Sequence, residues 1–249
     1  MLNLIHCELM KLKHSKMVWL SILGVMATPC MMLVEAMQQH AEHPNQIPAL
    51  ADVYDNSLLY VMLLINMMIY VAITAYLFSR EYAEDTLKTI LPVPVSRTAF
   101  LAGKFVVLLL WVLGLTFVTW AGTFVLFGVY HLLIGMAEFH LSIAFTWLMK
   151  YLLGNILVVF SLSPFAFLAE KTRGLVAPMI VSAVIVLGNA ALSNQKWGAL
   201  FPWTATYFLV DGRIKDTGYP FSLAVIILVI VSLIGFVATM QYFKHEDIK

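Results

Sequence analysis

Few side chains in this sequence have the type and spacing that chemistry requires. His40 and His43 form an H-x-x-H pair, but two imidazoles without a carboxylate placed beside them on a helix are a weak metal signal, and solvated loop histidines are the plainer reading. Gly103-Lys104 looks like the end of a phosphate loop, yet Phe105 follows it and Thr98 stands where that loop needs its first glycine. There is no H-E-x-x-H, no G-x-S-x-G and no pair of carboxylates within an apolar run that could share a proton or hold a metal. Cys7 and Cys30 are the only cysteines, one in a polar segment and one in an apolar run, and they read as inert buried thiols. The expectation is a chain that is not an enzyme, that binds no cofactor itself and that relies on another polypeptide for any ATP and magnesium.

What remains is membrane chemistry. Hydrophobic residues make up 61% of the 249 and charged ones 12%, against roughly 25% charged in an average soluble domain. A bilayer accepts such a surface directly. The net charge of +1 leaves no basic face for nucleic acid. Runs of about 20 apolar residues, each near 30 Å as a helix, match the hydrocarbon core. They fall near 17–37, 57–78, 105–129, 145–168, 175–193 and 221–243, and the third pattern reaches back to Arg97. No A-x-A-like cleavage site follows the first run, which therefore reads as a retained span. The fold class expected is an all-α membrane protein of six spans, with residues 1–249 forming one domain.

Cationic residues orient these spans. Lys11, Lys13, Lys16, Arg80, Lys88, Arg97, Lys104, Lys171, Arg173, Lys244 and Lys249 fall on one side, against Lys150, Lys196, Arg213 and Lys215 on the other. An excess of Lys and Arg marks cytoplasmic connections, so both termini are expected inside.

The most charged connection is "REYAEDTLKTILPVPVSRTAFLAGK", Arg80 to Lys104. Ala83, Leu87, Ile90 and Leu91 can share a face, with Arg80, Glu81, Glu84, Asp85 and Lys88 mostly elsewhere, which predicts a short amphipathic helix. Glu84 precedes Lys88 by one turn, in the favoured acid-before-base order. Pro92 and Pro94 must end that helix and hold the chain extended, and Ser96 is a suitable N-cap for a new helix from Arg97 into the third span. Residues 1–16 predict a second amphipathic helix, cationic and interfacial, with Leu2, Ile5, Leu9 and Leu12 in one stripe.

Polar residues inside the spans are few. Glu35 sits near the outer end of the first, where it can snorkel to the interface. Asn66, Asn155 and Asn189 lie deeper, where an amide bonds to a neighbouring helix or lines a transport path. Pro29, Pro164 and Pro178 are each expected to interrupt a span, with the serines of Ser161-Leu-Ser-Pro164 re-satisfying the freed carbonyls. In the last external connection, Phe201, Trp203, Tyr207 and Phe208 precede a turn at Asp211-Gly212. That stretch is either an aromatic interface anchor or a re-entrant helix that meets substrate, in which case Trp203 joins Asn66 and Asn155 as a path residue.

"ELMKLKHSK" before the first span, followed by Thr86-Leu87-Lys88, Pro94-Val95-Ser96-Arg97 and Gly103-Lys104 between the second and third of six, resembles the ABC-2 type permeases of ATP-binding cassette exporters. Many relatives carry glycine where this sequence has Asp85. The compact size and "FPWTATYF" look most like the bacitracin and lantibiotic self-protection permeases. The resemblance implies a bacterial plasma-membrane subunit that pairs with a second permease copy or a related permease and with ATP-binding subunits. It implies that Arg80, Glu81, Glu84, Thr86, Leu87, Lys88, Pro94 and Arg97 couple to the ATPase. It also implies a peptide or amphiphilic substrate, with another drug, sodium, or a non-transporting sensor role as alternatives.

Overall fold

The computed structural model describes residues 2–13, 15–44, 46–84 and 96–245, and among these it is helical with no strand beyond a single bridge between Ala49 and Ala137. A short α1 (Leu2–Lys13) precedes α2 (Lys16–Glu42), whose start is capped by the Ser15 hydroxyl, 3.1 Å from the Met17 amide. The second apolar run folds as two helices, α3 (Leu50–Leu63) and α4 (Ile65–Ala83). Ser96 caps α5 (Arg97–Leu133) by accepting from the Ala99 amide at 3.2 Å, and that helix continues for 37 residues. Then come α6 (Leu141–Ser161), α7 (Ser163–Thr172) and α8 (Val176–Leu192). A 3-10 turn (Lys196–Leu200), α9 (Pro202–Asp211) and α10 (Ile214–Thr217) lead to α11 (Phe221–Lys244).

Among the described residues, five stretches are long and apolar enough to cross a bilayer: α2, α3 with α4, α5, α6 and α11. The 17-residue α8 is apolar but shorter. The large apolar side chains left exposed on α2, α8 and α11, such as Leu23, Val184 and Leu233, need no protein cover where acyl chains meet them. Cys30 belongs to this class. It and Cys7 are free and exposed, contrary to the buried thiols expected, because a small weakly polar side chain can face lipid as readily as protein.

Interruptions of the helices follow a different rule from the one proline suggests. Pro29 lies within an unbroken α2, and Pro178 occupies the first turn of α8, where its missing N–H is not needed. Only Pro164 coincides with a break, at Leu162, and there the one Ser163 hydroxyl proton is shared between Ser232 O at 2.9 Å and Phe160 O at 3.1 Å, the carbonyl that Pro164 has no N–H to reach. The second break has no proline. Leu64, at φ −115 and ψ −96, leaves helical geometry between α3 and α4, and the freed Leu63 carbonyl accepts from Asn189 Nδ2 at 3.0 Å.

Between the helices the core is closed by polar contacts at depth. Asn66 accepts from Thr28 at 2.8 Å and donates to Thr119 at 3.0 Å, tying α4 to α2 and α5. Tyr151 of α6 bonds to Ser57 and to Tyr54 O of α3, and Trp120 of α5 donates to Ala144 O at 2.7 Å. Close approach is set by small residues. A Cβ added at Gly235 of α11 would meet the Ser163 carbonyl carbon and the Pro164 nitrogen, which are backbone and cannot step aside, whereas one added at Gly114 meets nothing within 4 Å. Gly235→Ala is therefore expected to lower the detergent-solubilised melting temperature by the equivalent of about 1–3 kcal/mol. Gly114→Ala, by contrast, should leave it unchanged or raise it slightly. Equal behaviour of the two variants in thermal melts would refute the packing at the α7–α11 crossing.

Candidate functional site

The end of the bundle where α4 stops and α5 begins carries a buried ion network. Glu81, on the last turn of α4, and Lys104, two turns into α5, are each only 2% exposed and form an ion pair. Lys104 also donates to Leu77 O and lies 5.1 and 5.6 Å from the ring centres of Phe100 and Phe78, so its charge is met on several sides. The other Glu81 oxygen is 3.9 Å from Lys11 Nζ of α1, and Lys11 pairs in turn with Glu8 at 2.7 Å. Glu8, Lys11, Glu81 and Lys104 thus alternate in sign and sum to zero. Two opposite charges that leave water together can be stable only with such close, hydrogen-bonded partners.

This network explains the face that α1 buries. The expected stripe was apolar and included Leu9, but Leu9 is 40% exposed while Glu8 and Leu12 are buried, with Ile5 partly so. A carboxylate beside Lys11 and Glu81 is better placed inside than a leucine would be. Arg97, at the first position of α5, donates to Phe243 O at 3.0 Å and Lys244 O at 2.8 Å, binding carbonyls that the end of α11 leaves open. Phe100 stacks on Phe243 alongside it.

The residues read from sequence as coupling elements fall into this geometry unevenly. Glu81 is inside the network. Arg80 lies over the Tyr76 ring and pairs with the exposed Glu84 at 3.1 Å, while Arg97 holds α11. Arg80, Glu81 and Ala83 continue α4 itself, so the described part of the expected amphipathic helix is the end of a long one. Thr86, Leu87, Lys88 and Pro94 lie outside the described residues. Its flanking residues, Glu84 and Ser96, both emerge from the corner built by α1, α4, α5 and α11.

Residues 4–189 match the family model described as ABC-2 family transporter protein. The chain belongs to the ABC-2 transporter family. It is also 32% identical to the bacitracin transport permease protein BCRB of Bacillus licheniformis over 212 residues, which is 85% of this chain and all of that one. No solved structure matches it. Family and apolar helices together make it a multi-pass permease of the bacterial plasma membrane.

The residues considered for a path through this ABC-2 permease are all engaged in the bundle. Asn66 is fully buried with both ends of its amide bonded. Asn155 donates to Tyr151 O at 3.0 Å, its own oxygen being buried without a hydrogen-bond partner. Trp203 packs on Phe165 and Phe201 and donates to Ser161 O at 3.3 Å.

At the far end of the permease the structure shows a cluster that sequence reading missed. Asp55 of α3 faces Asp211, at the end of α9, with Lys150 of α6 and Arg213 close by. Arg213 pairs with Asp211 and lies over the Tyr207 ring, 5.5 Å from its centre. Burial, with Asp211 beside it, pushes the Tyr207 hydroxyl up to about 12, so it stays protonated. Beside the cluster, a cleft of about 390 Å³ is lined by Glu35, His40, Asp52 and Asp55. Asp55 and Asp211 stand 156 residues apart in sequence, and no spacing rule joins them.

The ion pair yields a direct test. Lys104→Met or Glu81→Leu leaves the remaining charge buried alone and is expected to cost about 3–5 kcal/mol, whereas the double replacement should recover most of that loss. Thermal melts of the detergent-solubilised single and double variants measure this. Additive losses would show that the two charges do not sustain each other.

Proposed function

We propose that this chain is the permease subunit of an ATP-driven exporter that confers tolerance to a peptide antibiotic of bacitracin type. The observation that carries the reading is 32% identity to a bacitracin transport permease in an alignment that spans that protein's entire length. On this reading α8 is the fifth of six spans, its 17 residues giving about 25 Å of helix near the lower limit for crossing. Both termini and the Glu81 end face the cytoplasm, in keeping with the excess of Lys and Arg there.

ATP and magnesium are held by a separate ATP-binding subunit, which docks on the connection between α4 and α5 through Thr86, Leu87, Lys88 and Pro94, with Arg80, Glu84 and Arg97 at its base. Two permease copies, or this chain and a related one, enclose the substrate route. Glu81 and Lys104 support the reading in a particular way. A push on the connection meets α1, α4, α5 and α11 as one body, so it tilts spans as rigid elements instead of being dissipated at a loose loop.

Deleting the gene is expected to lower bacitracin tolerance by about tenfold, and complementation to restore it. Parallel exposure to a lantibiotic and to sodium separates the substrates: sensitivity to either with bacitracin tolerance unchanged moves the assignment to that cargo. Replacing Thr86, Leu87 and Lys88 together by alanine should abolish co-purification of the ATP-binding subunit and leave the melting temperature of the permease alone unchanged. Retention of the ATPase by that variant would remove the docking assignment.

A further inference from the structure

Both helix breaks are reached by the same element. At Leu64 the open carbonyl of Leu63 accepts from Asn189 Nδ2, and the Asn189 oxygen accepts from the Thr204 hydroxyl at 3.1 Å. At Leu162 the Ser161 carbonyl accepts from Trp203 Nε1. Trp203 and Thr204 are adjacent residues in the first turn of α9. Thr204 and Asn189 are fully buried, and Trp203 is wedged between Phe165 of α7 and Phe201. The start of α9 is therefore set into the bundle at the level of both breaks, while its far end, at Asp211, meets Asp55.

We propose that Asn189, Thr204 and Trp203 form a latch in which the first turn of α9 holds both discontinuous spans, α3 with α4 and α6 with α7, in a single arrangement. A break in an apolar environment leaves a carbonyl that water cannot reach, so the side chain satisfying it decides which arrangement of the two half-helices is stable. Here one turn supplies that bond to one break directly and to the other through Asn189. Freeing one break costs the bond at the other, and the two hinge together. The ends that would move are the ones that matter on the exporter reading above, on which this inference rests for its role in transport: the last turn of α4 carries Glu81, and α7 packs on α4 and α11. Asn189, Thr204 and Trp203 are positioning residues that act through the helices they hold.

Hydrogen exchange of the permease with its ATP-binding subunit in nanodiscs tests the latch through its cross-effect. Asn189→Leu is expected to raise exchange about tenfold at residues 159–166 as well as at 64–68, and Trp203→Phe to raise it by a similar factor at 64–68 as well as at 159–166, since coupling is reciprocal. Thr204→Val, which keeps shape and loses only the hydroxyl, should act in the same direction and serves if the Asn189 variant fails to fold. A purely local structural role would confine each effect to the nearer break, and that result overturns the proposal. Bacitracin tolerance is expected to fall about tenfold in the same variants while the ATP-binding subunit still co-purifies; unchanged tolerance would overturn the role in transport. The exporter reading fails separately, if no ATP-binding subunit co-purifies with the unaltered chain. The exchange cross-effect can then be measured on the permease alone.

Discussion

An ion pair between Glu81 and Lys104, both as buried as the apolar core around them, joins the last turn of α4 to the early turns of α5. A lysine so placed needs nearly all of its ammonium surface answered, and here a carboxylate, a backbone carbonyl of α4 and two aromatic faces provide that. Its partner then has one oxygen left, which draws Lys11 and, behind it, Glu8. The arrangement fixes α1 on the bundle at a defined rotation, with Leu9 turned out. Arg97 adds α11 through its terminal carbonyls. The end of α4 and the start of α5 thus sit in a corner that four helices share.

Deeper in the bilayer the constraint changes. Apolar packing there gives no preference for protein over lipid, so helices are held by close contact and by polar side chains with no other partner. Asn66 with Thr28 and Thr119, and Tyr151 with Ser57 and Tyr54, supply the second; Gly235 against Ser163 supplies the first. Such bonds average about 0.6 kcal/mol each in membrane proteins. No single one therefore sets the fold, yet each selects one rotation of its helix over the others. That is a weaker grip than the ion corner has, and it permits rearrangement at depth while the corner stays whole.

The apolar helices were legible because length and hydropathy are local properties, and Ser96 before Arg97 was legible because capping is local too. What failed involved partners distant in sequence. Leu64 has no proline or glycine near it, and its break exists because Asn189 can satisfy Leu63 from another helix. Pro29 gave the opposite error, since a proline in a long helix need not stop it when neighbouring turns absorb the lost bond. Glu8 lies outside the apolar stripe expected to face inward, and its burial follows from Lys11, which pairs with it and with Glu81. Of the residues expected from sequence to couple to an ATPase, Arg80, Glu81, Glu84 and Arg97 lie in the described part of the chain, and the stretch from Asp85 to Val95 lies beyond it.

The family match ends at residue 189, and the fold does not. Asn189 is bonded forward to Thr204 as well as back to Leu63, so the last residue matched is one of those through which α9 joins the earlier helices. Past it, α11 is fastened near its middle by Ser163, which donates to Ser232 O, and at its end by Arg97. Both anchoring side chains come from the matched region. A C-terminal segment appended to a finished domain would leave that domain's polar groups satisfied without it. Here Asn189, the break at Leu162 and the start of α5 would each lose a hydrogen-bond partner, so residues 190–245 complete the same bundle.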